Sequence, residues 1–216
     1  MKRLSAAVPL FAFGRRRVAE AARSLDVDLF LVGDGDAPEG VRRLEQRGRS
    51  FGERLANAFA DVLALGYDSV VAVPTDVPQL DARRLAAAFD SLAQGHVALG
   101  RSPDGGVYLI GLTRGAESVL SGVRWLTAHV AEDIDSRARE RRLAVGWLPN
   151  LQDVDGAADL VSLAKRSDLD LDLAALLRQI LFREASRPAK QRRLAVPAPP
   201  RLAWARPPPA PALLTA

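Results

Sequence analysis

At 216 residues the chain has room for one well-buried domain plus extensions, and without cysteine it can build neither a disulfide framework nor a thiolate metal site. The formal charge of +4 is unevenly placed: Arg187, Lys190, Arg192, Arg193, Arg201 and Arg206 meet no acid in the last stretch, which leaves −2 for residues 1–186. The basic balance therefore gives no argument for nucleic-acid binding by the folded body. His96 and His129 cannot make a zinc site without carboxylate help. Arginine outnumbers lysine 27 to 3, which suits carboxylate and phosphate partners.

From the N-terminus, the uncharged run Leu4 to Gly14 is 11 residues long, short of the ~18 that a membrane span needs. Pro9 interrupts it, and Arg15-Arg16-Arg17 follows without a small-residue cleavage site, so export is rejected and a cytoplasmic protein is expected. Val8 to Phe13 and Val27 to Val32 read as short buried strands around an Ala-rich helix from Val18 to Leu25, a βαβ opening with the arginines in its first turn. Gly33-Asp34-Gly35-Asp36 is a turn by composition, with a small anion or metal loop as the alternative.

Leu55, Phe59, Val62 and Leu63 fall on one face of a helix that Gly66 closes. Val70 to Val73 is too short and too apolar for a surface helix and reads as a buried strand, ended by Pro74 and Pro78. Asp81 is a plausible N-cap for a helix carrying Leu85, Ala88, Phe89 and Leu92, with Gly95 behind it. Strands over His96 to Leu99 and Val107 to Leu112, a helix over Ala128 to Arg139 and a strand over Leu143 to Leu148 follow. Asp168 to Leu173 alternates like a strand, but Leu169, Leu173, Leu176, Leu177, Ile180 and Leu181 keep helical spacing, so a helix with an acidic first turn is predicted. The alternation implies an α/β fold with a mostly parallel sheet and one antiparallel member. Eight of the 14 prolines lie from Pro188 to Pro211, so residues 187–216 are expected to form an extended or disordered tail behind a domain of residues 1–183.

The chemistry-bearing residues gather at strand ends. Ligands in open α/β sheets bind beyond the carboxyl ends of strands, which is where Thr75 and Asp76 fall; a plain turn is the alternative. A carboxylate there suits a divalent metal that neutralises a phosphoryl group or a departing nucleoside diphosphate. A second ligand has to return from a distant part of the chain, and Asp153-Val154-Asp155 after the last strand supplies it, although Asp155 could equally cap the helix near Ala157. Asp104-Gly105-Gly106 is a sharp turn that lets the backbone approach a ligand, or simply a tight hairpin, and Tyr108 beyond it could face either pocket or core. Gly52-Glu53-Arg54 opens a helix, where free N–H groups and an arginine suit an anion or form a solvated first turn.

Gln46-Arg47-Gly48 with Phe51-Gly52-Glu53-Arg54-Leu55, then Thr75-Asp76-Val77-Pro78, Asp104 to Leu112, Trp125-Leu126-Thr127, and Leu148-Pro149 with Asp153-Val154-Asp155 form an ordered series. It resembles a bacterial glycosyltransferase-like family related to molybdenum-cofactor guanylyltransferase and 2-phospholactate guanylyltransferase. The resemblance covers about residues 44–163 and implies a three-layer α/β/α domain of the GT-A nucleotide-diphospho-sugar transferase type. It further implies a divalent Mg or Mn held by Asp76 and Asp155 with Asp153 in reserve, and a donor or acceptor pocket lined by Thr75, Asp104, Gly105, Gly106, Tyr108 and Trp125, the last of which could instead be core. The chain departs from the pattern in two places. Gly14-Arg15-Arg16-Arg17 stands where a longer Gly-rich loop with a Lys-Thr-Arg element usually holds the nucleotide phosphates, leaving Arg15 and Arg16 to supply that charge, and Pro74 replaces a glycine. The implied activity is sugar transfer from a nucleotide-sugar to a small acceptor; nucleotidyl transfer and a non-catalytic binding protein are the alternatives, and the oligomeric state is not legible.

Overall fold

The computed structural model describes residues 7–32, 40–154, 156–186 and 212–215. The chain opens with α1 (Ala7–Ser24), β1 (Asp28–Val32), β2 (Arg42–Leu44), α2 (Phe51–Ala64), β3 (Ser69–Val73) and α3 (Ala82–Ala93). It continues through β4 (Val97–Arg101), β5 (Val107–Thr113), a short 3-10 helix (Glu117–Leu120), α4 (Val130–Glu140) and β6 (Val145–Leu148). Two helices, α5 (Ala157–Ala164) and α6 (Leu171–Ala185), and a last strand, β7 (Ala212–Thr215), complete it.

The sheet order is β2-β1-β7-β3-β5-β4-β6. β2 is parallel to β1 and β6 to β4, whereas β7 is antiparallel to both β1 and β3, and β5 to both β3 and β4. Five strands thus share one direction and two oppose it. The residues of β3 divide between the faces as a doubly covered strand requires: Val70 and Ala72 join Phe30, Phe59, Leu99 and Ile134 under α2 and α4, while Val71 and Val73 join Val18, Leu85, Leu92 and Leu109 under α1 and α3. These are the two outer layers of a three-layer α/β/α domain. A third cluster sets Leu10 and Phe13 of α1 against Leu160, Leu163, Leu173, Leu177 and Ile180, so α5 and α6 pack on the start of α1.

Three expectations are corrected. Val8 to Phe13 is not a strand: α1 runs unbroken from Ala7 through the arginines, because Leu10, Phe13, Val18, Ala21 and Ala22 make one buried helical face while Arg16 stays in solvent. Pro9 falls in the first turn, where its missing N–H costs nothing. The sheet has two antiparallel members, and the second comes from the segment expected to be disordered. Ala212–Thr215 pairs at four positions with β1 and four with β3, so these four residues are ordered by backbone pairing on both sides, which supplies what their proline-rich surroundings lack. Gly33 to Asp36 lies outside the described residues. Among the described residues no helix is long and apolar enough to cross a membrane.

The chain enters β7 at Ala212, opposite Leu31 and Val73, which is the edge where β1 and β3 end. Removing residues 212–216 should therefore lower unfolding stability by at least about 3 kcal/mol, since each lost ladder bond is worth about 1 kcal/mol net and none has another partner to turn to. Urea denaturation of the full and truncated chains checks this, and an unchanged midpoint would remove β7 from the native sheet.

Candidate functional site

All five parallel strands deliver their following loops to one edge, and the chain's unusual residues lie in those loops. β3 leads into Pro74-Thr75-Asp76. Thr75 is buried, and Gly14 of α1 lies so close that a Cβ there would come 2.4 Å from the Thr75 carbonyl oxygen. On the far side of the turn, Val77 and Leu80 enter the core, and the Asp81 carboxylate caps α3 by accepting the Arg84 N–H at 2.9 Å. Asp76 is half-buried between these anchors, and its carbonyl oxygen accepts the Val154 N–H at 3.2 Å. Two loops far apart in sequence, one carrying Asp76 and the other Asp153, are thereby joined main chain to main chain.

The loop after β6 is tied down at two further points. Leu151 N–H donates to the Arg101 carbonyl at 3.3 Å, and the Tyr108 hydroxyl donates to the Pro149 carbonyl at 2.7 Å. Tyr108 is buried, its ring pressed on Gly100, where a Cβ would lie 2.4 Å away, beside the register shift between Gly100 and Arg101. Burial pushes its pKa up to about 12, which keeps the hydroxyl a donor at physiological pH. Tyr108 thus holds the loop from below instead of lining the open edge.

Asp104-Gly105-Gly106 follows β4 at the same edge. Ser102 N–H donates to Gly106 O, Gly105 N–H to Ser102 O, and Gly106 N–H to Asp104 Oδ1 at 2.9 Å, so the Asp104 carboxylate stabilises its own turn. Gly105 has φ +89°, and a Cβ on it would sit 2.1 Å from the Ala128 carbonyl; its own carbonyl accepts the Ala131 N–H. Close backbone approach is indeed what this glycine permits, but the partner is the start of α4. Trp125 comes from the stretch between the 3-10 helix and α4 and lies on Gly52, where a Cβ would meet the indole at 2.3 Å; its ring is 5.5 Å from that of Phe51. It is half-buried and packed on the core. Thr127 is committed to local bonds, donating to the Arg124 carbonyl and accepting the His129 N–H.

Arg15 and Arg16 do not form a loop after a strand. Both sit in the middle of α1; Arg16 pairs with Glu20 and lies over the Phe13 ring, and Arg15 lines a groove between α1 and β1. Asp155 lies outside the described residues, but the helix after it takes Gly156 as its N-cap, with Gly156 N–H donating to Asp159 Oδ2 at 2.8 Å. Among the described residues no three His, Cys, Asp or Glu side chains converge. The carboxylates that the two joined loops carry are hard oxygen donors, the type that Mg²⁺ and Mn²⁺ prefer. Sequence reasoning missed two features here. The close packing of Gly14 on Thr75 was hidden because a glycine in an arginine run reads as a turn, and the staple of Arg124 on Asp133 depends on tertiary proximity of an exposed loop and α4.

This three-layer sheet, with its motif loops at one carboxyl edge, is a nucleotide-diphospho-sugar transferase fold of the GT-A type. Residues 7–127 match the DUF2064 family, described as an uncharacterized protein conserved in bacteria, and the chain belongs to it. Among solved structures it is similar to a protein of Desulfovibrio desulfuricans G20, provisionally named a nucleotide-diphospho-sugar transferase, with TM-score 0.70 and 28% identity over 82% of this chain and 86% of that one. No curated protein matches the sequence.

Gly14→Ala should destabilise the protein by about 1–2 kcal/mol, because overpacking against a backbone oxygen outweighs the ~1 kcal/mol that alanine gains in a free helix. Thermal melts of the two proteins decide it, and a stabilised variant would show that α1 does not press on Thr75. A pH dependence follows from Asp133, whose carboxyl is held down from 3.8 to about 2 by hydrogen bonds from the Arg124 side chain and backbone. Its folded pKa lies below the unfolded one, so its contribution is complete above pH 3.8 and is lost as pH falls toward 2. Arg124→Gln should reduce the difference in stability between pH 5 and pH 2, by a small amount because the guanidinium is largely exposed; acid denaturation of both proteins measures it.

Proposed function

We propose that this chain is a metal-dependent glycosyltransferase-like enzyme that moves a sugar from a nucleotide-sugar donor to a small acceptor at the carboxyl edge of the sheet. The observation that carries the reading is the hydrogen bond from Val154 N–H to Asp76 O, which brings the turn after β3 and the Asp153-Val154 segment to one place. The similarity to the Desulfovibrio protein supports the same class of substrate.

Asp76 and Asp155, with Asp153 in reserve, would hold a Mg²⁺ or Mn²⁺, which supplies Lewis-acid neutralisation of the diphosphate leaving group. The protein's own part is to keep these carboxylates in place. Gly14 packs against the Thr75 carbonyl, Tyr108 secures the following loop through Pro149, and both contacts oppose the spreading that repulsion between carboxylates would otherwise cause. Thr75 and the Asp104-Gly105-Gly106 turn form the adjoining walls, and Trp125 offers an aromatic surface for a sugar or base on the α2 side.

The test is a thermal-shift panel of nucleotide sugars, nucleoside diphosphates and triphosphates, each with and without Mg²⁺ or Mn²⁺. A metal-dependent shift with a nucleotide sugar is expected, and Asp76→Asn should abolish it while leaving the melting temperature of the ligand-free protein unchanged or raised. An early-melting Asp76→Asn that keeps metal binding would assign Asp76 a structural turn role worth about 1 kcal/mol or more. Shifts confined to triphosphates would move the assignment to nucleotidyl transfer. No shift with any nucleotide would leave a binding protein.

A further inference from the structure

The two lateral borders of the sheet are built differently. At one end β2 presents Arg42 and Arg43, both exposed, and charged side chains are a common means of stopping a border strand from pairing with another chain. At the other end β6 reads Val145-Gly146-Trp147-Leu148, with no charge in it and a tryptophan that is 47% exposed. That border is unguarded, and its indole offers a large apolar surface to a partner.

The pairing of β6 fixes which of its backbone groups are free. It runs parallel to β4 in the register Val97↔Val145 and Leu99↔Trp147, and Val97 N–H donates to the Ala144 carbonyl at 2.8 Å. Main-chain groups alternate sides along a strand, so Ala144, Gly146 and Leu148 turn theirs toward β4. Val145 and Trp147 turn theirs outward, where β6 has no strand partner among the described residues. An antiparallel copy of the same strand, centred on Gly146, satisfies both N–H and both C=O groups: Val145 exchanges two bonds with the copy's Trp147, and Trp147 exchanges two with the copy's Val145. Registers centred on Val145 or on Trp147 do worse. They set the remaining residue opposite Leu143, whose N–H already donates to the Ala138 carbonyl, or opposite Pro149, which has no N–H.

The side chains on both faces agree with this register. Trp147 lies beside Leu99, on the face where Val145 packs against the core under α2 and α4, so each ring would fall against the copy's Val145 as an aromatic and β-branched pair. On the other face α3 sits directly over β6, where a Cβ on Gly146 would come 1.6 Å from Ser91 Oγ. Ala87 and Gln94, one turn to either side of Ser91 on the same flank, are exposed and uncharged. The adjacent charge, Asp90, falls on the side of α3 opposite the buried Leu85, Ala88 and Leu92, away from the sheet. No like charges therefore face each other at the axis.

We infer that β6 is the contact strand of a two-fold dimer of this chain, in which two sheets join edge to edge through Val145 and Trp147. Arg141 and Arg142 before the strand and Pro149 after it confine the pairing to β6. The two-fold axis reverses strand direction, so the carboxyl edges of the two copies face opposite ways and both stay open to ligands. A contact of this length is at the small end of specific interfaces and forms reversibly as concentration rises.

Sedimentation velocity of the full chain over a roughly hundredfold range of concentration should show passage from monomer to dimer. Hydrogen exchange at the high end should protect the Val145 and Trp147 amides about tenfold or more relative to the low end, while the Gly146 and Leu148 amides, already bonded to β4, change little. Trp147→Lys and, separately, Val145→Pro should each weaken dimerisation about tenfold or more, since the first guards the border and the second removes an outward N–H without touching a bond to β4. Should Val145→Pro melt early, Trp147→Lys, which leaves the backbone intact, decides alone. A protein that stays monomeric throughout, a dimer that survives Trp147→Lys, or a dimer lost on Phe182→Ser, which would move the contact to the exposed side of α6, would each overturn the inference.

Discussion

The backbone of β3 must find partners on both sides while both of its faces are buried, and the rest of the molecule is arranged around that demand. Val70, Val71 and Val73 are fully enclosed, so no water can satisfy the strand's N–H and C=O groups. β5 takes one side and β7 the other, each antiparallel and each paired at four positions. Without β7 the ladder between β1 and β3 would be missing, and the sheet would fall into a two-stranded and a four-stranded piece. The short C-terminal strand therefore carries structural weight far beyond its length.

What β3 supports is its carboxyl turn, and that turn is held mostly by main-chain contacts. Pro74 and Pro78 limit its conformations, Gly14 allows α1 to reach the Thr75 carbonyl, and Val154 N–H closes the other side. Close approach of main chain also explains Gly105, whose partner is Ala128, while Gly100 and Gly52 are required by the rings of Tyr108 and Trp125. These glycines let loops and helices pack at distances that no larger residue permits, which makes the edge rigid before any ligand arrives.

The same view picks out the residues that build this edge. Tyr108, Asp104, Thr127 and Asp81 spend their polar atoms on neighbouring backbone.

Much of this was readable in the amino-acid order. The Val-rich run of β3, the amphipathic spacing of α2, α3 and α6 and the glycines behind the first two of these helices determine local structure through burial and backbone geometry, and those elements formed where the pattern placed them. The strand-then-Asp arrangement at Asp76 was legible because a sheet's carboxyl edge is defined by chain direction alone. Three things were not. Leu10 to Phe13 could serve a strand or a helix, and only the packing of α5 and α6 on that face made it helical. Tyr108 could point to either side until a register shift beside Gly100 set its ring into the core. The segment Ala212–Thr215 has no pattern of its own to announce it; it is a strand because β1 and β3 lie on either side of it with unpaired backbone, and a partner distant in sequence is a property of the tertiary structure and of nothing shorter.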